Sequence, residues 1–206
     1  MKNWSDRPVI IVASGPSLTD EDVALVKSYH FNKLIHVIVI NDNWQLIQKA
    51  DVLYAADHRW WTTNYAKVAE HFAGQPWTCD DRITNHYPRV RLIQSKVGSG
   101  LPESRDFIKV GASSTTQAIE LAYIWGALTI GLLGLDCESP DGRKHWFGSH
   151  PPCLDEPLPF ERWIEELSIL AKELFATKVE VINCSRKTAL TCFPHMTLVN
   201  YLRQRT

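Results

Sequence analysis

Short runs of apolar, largely β-branched residues alternate along the chain with longer segments of mixed polarity. Residues 8–13 (PVIIVA), 34–40 (LIHVIVI), 51–56 (DVLYAA), 128–133 (LTIGLL) and 178–182 (KVEVI) are strand-length stretches dominated by Val, Ile and Leu. Continuous runs of this kind predict strands covered on both faces, as in a parallel sheet. Weaker strand signals lie around 77–79 and 90–94.

The segments between them predict helices. Thr19 followed by Asp20, Glu21 and Asp22 is a helix start, with a capping hydroxyl and acids in the first turn. Residues 60–72 form an amphipathic stretch. A further helix opens at Ser113, Ser114 and Thr115 and brings Ile119, Ala122 and Trp125 onto one face before Gly126. Another covers residues 160–175. Two stretches read differently. Residues 96–106, with Gly98, Gly100 and Pro102, predict a surface loop. Residues 137–159 are polar and proline-rich without a regular period, the mark of a lid or binding loop. Strands alternating with helices predict an α/β fold. Its form is a doubly wound, mostly parallel, Rossmann-like sheet in one domain over residues 1–206, with a long lid loop near residues 137–159.

In such sheets ligands sit beyond the carboxyl ends of the strands, and the polar residues gather there. The first tip carries Ser14, Gly15, Pro16 and Ser17. It reads either as a structural tight turn or as a cradle, with Gly15 allowing close approach and Ser17 and nearby amides meeting a phosphate or ribose. Asn41 and Asn43 flank Asp42 at the second tip, suited to a nucleobase edge or ribose, or to capping. Asp57 at the third tip is similarly ambiguous, and Arg59 beside it suits a phosphate. Ser113, Ser114 and Thr115 present hydroxyls and open amides at a helix start, an anion site by construction. In the long loop Arg143 and Lys144 suit a departing phosphate, while His145 and His150 suit general-base work. A rival reading makes His145, His150 and Asp136 or Asp155 metal ligands, although their spacing matches no zinc signature.

Composition narrows the classes. Of 206 residues 45% are hydrophobic and 22% charged, which fits a globular chain and not a disordered or fibrous one. No apolar run approaches the roughly 18–20 residues of a membrane span, and the first residues lack a signal peptide's apolar region. A cytoplasmic location is expected, in a host cell if the source is viral. Basic and acidic residues number 22 and 23, giving −1, so nucleic acid is not the favoured partner, although a local basic patch is compatible with this balance. Five cysteines without a CxxC pair predict reduced packing thiols. The 8 tryptophans read either as core or as ligand-facing aromatics.

In combination these motifs resemble the family 42 sialyltransferases and the wider DUF115 superfamily. Residues 13–18 (ASGPSL) are similar to the family's G-N-G-P-S-L. Residues 113–116 (SSTT), the helix after them and 132–136 (LLGLD) are similar to its T-S-G, helix, L-x-G-I-D segment. Residues 145–150 (HWFGSH) resemble a lid element, and 183–190 (NCSRKTAL) its last strand tip. The likeness spans most of the chain in order. It implies a nucleotide-binding domain, a nucleotide-sugar donor, inversion at the anomeric carbon and no metal. It further implies that Gly15, Ser17, Asn41 and Ser114 contact the nucleotide, with Asp57 in place of a family Asn. His150 would be the base, with His145 as the second candidate. The family's Asn is Ser14 here, the lid lacks tyrosine, and the chain is shorter, without the C-terminal membrane-associating extension. Small relatives of this kind are frequent in phage.

The sequence therefore leads to a metal-independent, nucleotide-sugar-dependent glycosyltransferase with an unspecified acceptor. The alternatives are a Mg²⁺-dependent diphosphokinase acting on a pterin-like or nucleoside hydroxyl, its metal held by Asp57, Asp136 or Asp141, and a non-catalytic nucleotide-sequestering protein.

Overall fold

A computed structural model describes residues 3–111, 113–155 and 157–206; Met1 and Lys2, part of the start read above for a signal peptide, lie outside them. Strand β1 (Val9–Val12) leads into helix α1 (Asp20–Phe31), β2 (His36–Ile40) and a 3-10 helix (Asn41–Gln45). Then come β3 (Val52–Tyr54), α2 (His58–His71), β4 (Gln75–Thr78), α3 (Asp81–His86) and β5 (Arg91–Leu92). β6 (Gln94–Val97) and β7 (Phe107–Val110) precede α4 (Ser114–Ile124) and β8 (Thr129–Leu133). A short 3-10 turn (Pro140–Gly142), α5 (Phe160–Phe175), β9 (Glu180–Asn183) and α6 (Leu198–Arg205) complete the chain.

Seven strands form one parallel sheet in the order β5-β4-β3-β2-β1-β8-β9. The chain builds outward from β1 to β5, then returns to add β8 and β9 on the other side of β1. The winding direction thus reverses between β1 and β8. Val12 lies opposite both Val39 of β2 and Leu133 of β8, so three strand tips end level with one another. Alternation along β1 serves two cores, since successive side chains in a strand point to opposite faces. Val9 and Ile11 pack with α4 and α5, whereas Ile10 and Val12 pack with α1, α2 and α6. Each fully buried Val or Ile on these strands contributes roughly 1.5–3 kcal/mol. This is the doubly wound α/β architecture expected.

Helix α4 is buried almost all round, from Thr115 to Ala122. Its polar residues inside that stretch have partners. The Tyr54 hydroxyl donates to Gln117 Oε1 at 2.7 Å, and Glu120 Oε2 accepts from the Lys109 amide at 2.5 Å. Such a helix fixes its own N-terminus rigidly against the tips of β1 and β2.

Several elements differ from the expectation. β6 extends to Val97, into the stretch read as loop, and pairs with the unanticipated β7 in a separate two-stranded parallel sheet. Helices α3 and α6 were also not expected; they are short, and α6 (LVNYLRQR) buries only Leu198, Tyr201 and Leu202. Of the tryptophans, Trp4, Trp44, Trp60, Trp61 and Trp125 are buried packing residues. All five cysteines are free. No helix among the described residues is long and apolar enough to cross a membrane.

Candidate functional site

The reversal between β1 and β8 places two loop starts side by side. Ala13 donates its amide to the Leu133 carbonyl at 2.8 Å, and Gly15 donates to the Gly134 carbonyl at 2.7 Å. A β-carbon on Gly15 would lie 2.4 Å from the Asp136 carboxyl and 2.5 Å from the Gly134 carbonyl. Gly134 has φ +67°, and a β-carbon there would meet the Ala13 carbonyl at 2.5 Å. Glycine is thus required at both positions because the chain packs against itself. The tight-turn reading of Gly15 thus has a packing basis, and its backbone also lines the cleft above it.

Above this seam lies a cleft of 160 Å³. Ser14, Gly15, Pro16, Gly134 and Asp136 line it from the tips of β1 and β8, and Asn41 from the tip of β2. Ser113, Ser114 and Thr115 line it at the start of α4, where Ser113 Oγ caps the helix by accepting from the Thr115 amide at 3.1 Å. Lys144 and His145 from the long loop, and Phe160 and Trp163 from α5, complete the wall. Ten of the residues singled out in the sequence therefore meet in one place: Ser14, Gly15, Pro16, Asn41, Ser113, Ser114, Thr115, Asp136, Lys144 and His145.

Two polar atoms of this wall are buried without a hydrogen-bond partner, Asn41 Oδ1 and His145 Nε2. Orphaned buried acceptors and donors are costly and call for an occupant. Asn41 (φ +49°) and Cys137 (φ +51°), both lining the cleft, also hold the left-handed backbone conformation that residues other than glycine rarely adopt. Strain of this kind concentrates at ligand sites. Burial, reinforced by the nearby His150 and Lys144, pushes the His145 imidazole down to about 4. It is a neutral imidazole at physiological pH. Burial pushes the Cys137 thiol up to about 12, so it is no nucleophile.

Other expected ligand residues have structural work instead. Ser17 gives its amide and hydroxyl to the two Asp136 carboxylate oxygens, each at 2.7 Å. The carboxylate occupies the donors that a phosphate was expected to use. Burial raises the Asp136 carboxyl, and the two Ser17 bonds oppose that rise. Thr19, not Ser17, caps α1, in a reciprocal arrangement with Asp22. Asn43 is fully buried and donates to the Val12 and Ile40 carbonyls and to Ser14 Oγ, while its Oδ1 accepts from Trp146 Nε1 at 2.8 Å. It braces two strand tips against the long loop. Asp57 lies outside the cleft and caps α2 by accepting from the Arg59 and Trp60 amides. Arg143 folds onto its own loop, donating to the His145 and Trp146 carbonyls, and is not part of the cleft wall.

The long loop is pinned over the cleft. Besides its indole contact with Asn43, Trp146 donates its amide to the Ser14 carbonyl at 3.0 Å. Lys144 Nζ reaches Asp155 Oδ1 at 2.8 Å. His145 stacks on Phe147 with ring centres 4.9 Å apart. His150 sits behind His145, with ring centres 4.8 Å apart, and faces Asp42 instead of the cleft: its Nδ1 is 3.4 Å from Asp42 Oδ2. Asp42 itself is buried and also receives the Trp60 indole N–H at 3.2 Å and the Gln45 amide at 3.3 Å. Sequence reading passed over Asp42; its only signal was its position between two asparagines already under suspicion. Trp163 and Phe160 were missed because they sit on the outer helix, far along the chain from the strand tips.

Among the described residues no group of three His, Cys, Asp or Glu side chains is arranged to hold a metal ion. No family model matches the chain, nor does any curated protein or solved structure.

Proposed function

We propose that the cleft binds the phosphorylated nucleoside of a nucleotide-sugar and that the protein transfers the sugar to an acceptor hydroxyl, in the manner of the family 42 sialyltransferases that its motifs resemble. The observation that carries this reading is the pair of buried, unpartnered polar atoms, Asn41 Oδ1 and His145 Nε2, in the same wall as the start of α4. A helix N-terminus favours a phosphate, and an asparagine oxygen accepts from a base or ribose.

The chemistry assigns roles. Departure of a nucleotide leaves negative charge, which in this reading is stabilised by Lys144 and the Ser114 amide in the cleft wall. Attack by a hydroxyl needs a neutral imidazole close to the reacting atoms. His145 meets both conditions from the cleft wall, so it takes the base role in this reading. His150, the first choice on resemblance alone, becomes the residue that supports it. An incoming phosphate adds negative charge beside His145 and Lys144 and draws the imidazole's basicity back toward neutral, where a general base is most effective.

The diphosphokinase alternative would hold its metal on carboxylates such as Asp57, Asp136 or Asp141. Asp57 caps α2 and Asp136 is held by Ser17, which leaves them ill placed for a shared ion.

A thermal-shift series with CMP, UDP, GDP, ADP and ATP, with and without Mg²⁺, tests the binding claim, because a ligand of the native state raises Tm by mass action. One nucleoside monophosphate or diphosphate is expected to shift Tm without Mg²⁺. Incubation with the matching nucleotide-sugar and analysis by mass spectrometry should then show released nucleotide. His145→Ala should keep the Tm shift and lose about 10²–10⁴-fold in turnover. Absence of any nucleotide shift would end this reading.

A further inference from the structure

On another part of the surface, where α1 ends and β3 begins, a groove of 870 Å³ opens. Arg7, Lys27, His30, Lys33 and Lys49 line it. They come from separate segments of the chain: Arg7 precedes β1, Lys27 and His30 lie one turn apart on α1, Lys33 follows that helix, and Lys49 precedes β3. The chain as a whole carries a net charge of −1, so this gathering is a local asymmetry.

One carboxylate, Asp51, lines the groove, and it is already committed. Its Oδ2 accepts from the Val37 amide at 2.8 Å and lies 3.0 Å from His30 Nε2 and 3.7 Å from His36 Nδ1. It therefore fixes His30 in the wall and leaves the lysines without a carboxylate partner from within the groove. The attraction of a helix C-terminus for cations accounts for charge on α1 but not for Arg7 or Lys49.

Two further observations point to an occupant. Lys33 holds the left-handed conformation (φ +59°) at the residue that closes α1, a position where glycine is the usual choice. Its amide bonds the His30 carbonyl at 2.9 Å, Leu34 bonds the Tyr29 carbonyl at 3.0 Å, and Arg7 donates to the Lys33 carbonyl at 3.1 Å. A lysine stands, braced by these bonds, where backbone strain disfavours it. Beside it the Phe31 ring is 82% exposed on the groove's edge. An exposed aromatic next to cations is a stacking platform for a base whose phosphates the cations hold. The volume lies within the roughly 300–1,000 Å³ of small-ligand sites.

We propose that this groove is a second ligand site, separate from the switch-point cleft, and that it takes a nucleoside diphosphate or triphosphate with its phosphates on Lys27, Lys33 and Lys49 and its base against Phe31. It does not depend on the reading of the cleft.

Calorimetric titration of the full chain with ADP, inorganic pyrophosphate and a short oligothymidylate tests it. ADP and pyrophosphate are expected to bind, more weakly as salt rises. The triple variant Lys27→Glu, Lys33→Glu, Lys49→Glu should lose about tenfold or more in affinity for both. Phe31→Ala should weaken ADP and leave pyrophosphate unchanged. Asn41→Ala with His145→Ala should leave this binding intact, which separates it from events in the cleft. Circular dichroism melts establish that each variant is folded; all four changes in the groove are at exposed side chains. Undiminished ADP binding in a folded triple variant would overturn the proposal, as would oligothymidylate binding the groove more tightly than ADP.

Discussion

Asp42 Oδ2 and His150 Nδ1 lie 3.4 Å apart, joining the turn after β2 to the long loop over the cleft. The carboxylate is buried and also accepts from the Trp60 indole and the Gln45 amide. Asp42→Asn keeps the shape and replaces a carboxylate facing the His150 ring with a neutral amide. The loop should then open more often: faster protease cleavage and faster amide exchange within residues 137–159 are expected, with the sheet protected as before. Unchanged cleavage and exchange would show that Trp146 alone holds the loop.

His145 supplies a pH test. Its imidazole is pushed down to about 4 by burial, reinforced by His150 and Lys144, so the empty protein carries it neutral at pH 7. An anionic nucleotide favours the protonated form, and proton uptake on binding follows. Affinity should therefore tighten as pH falls from 7 toward 4, by up to about tenfold for each pH unit in which uptake is complete. His145→Ala should remove this component of the pH dependence. Histidine NMR resonances with and without nucleotide measure the shift directly.

The Ser17–Asp136 pair should matter to folding more than to ligand affinity. Ser17→Ala deletes one of two 2.7 Å bonds to a buried carboxylate and should cost about 1.5–3 kcal/mol, the range for hydrogen bonds to charged groups. Gly15→Ala should be worse, because its β-carbon would strike both Asp136 and the Gly134 carbonyl. Denaturant unfolding of the two variants checks the order.

Glu120 gives stability a slope with pH. Burial pushes its carboxyl up to about 8, against the Lys109 amide and charge, which pull it down. A carboxyl raised in the folded state binds a proton that the unfolded chain has released. This contribution is fully present below the unfolded value near 4.5 and is lost as pH rises through 8. Across that window it removes up to about 1.4 kcal/mol per pH unit. Glu120→Gln can still accept from the Lys109 amide, so it should flatten the slope and melt higher than the parent at pH 8. Parallel slopes would show that Glu120 is ionised throughout.

The strands that frame the cleft were legible because burial on both faces leaves an unbroken apolar run, as in residues 34–40. β7 (FIKV) and α6 (LVNYLRQR) are only four and eight residues long, too short for a period to stand out. Topology told where polar tips would converge, and Asn41, Ser114 and His145 do converge. Residue type did not separate Asn41, in the cleft wall, from Asn43, consumed by two strands and an indole. Nor did it show that Asp136 would turn back onto Ser17. Those assignments depend on which distant group arrives first, and a linear reading holds no record of that.

Trp146 grips both Ser14 and Asn43, so the cover and the first strand tip move as one latch. That loop also brings Lys144 and His145 to the wall of the 160 Å³ cleft, so release of the latch is what widens the site for a nucleotide. Uptake is then paced by the protein: the observed association rate should level off at high ligand concentration, at the frequency with which the indole lets go.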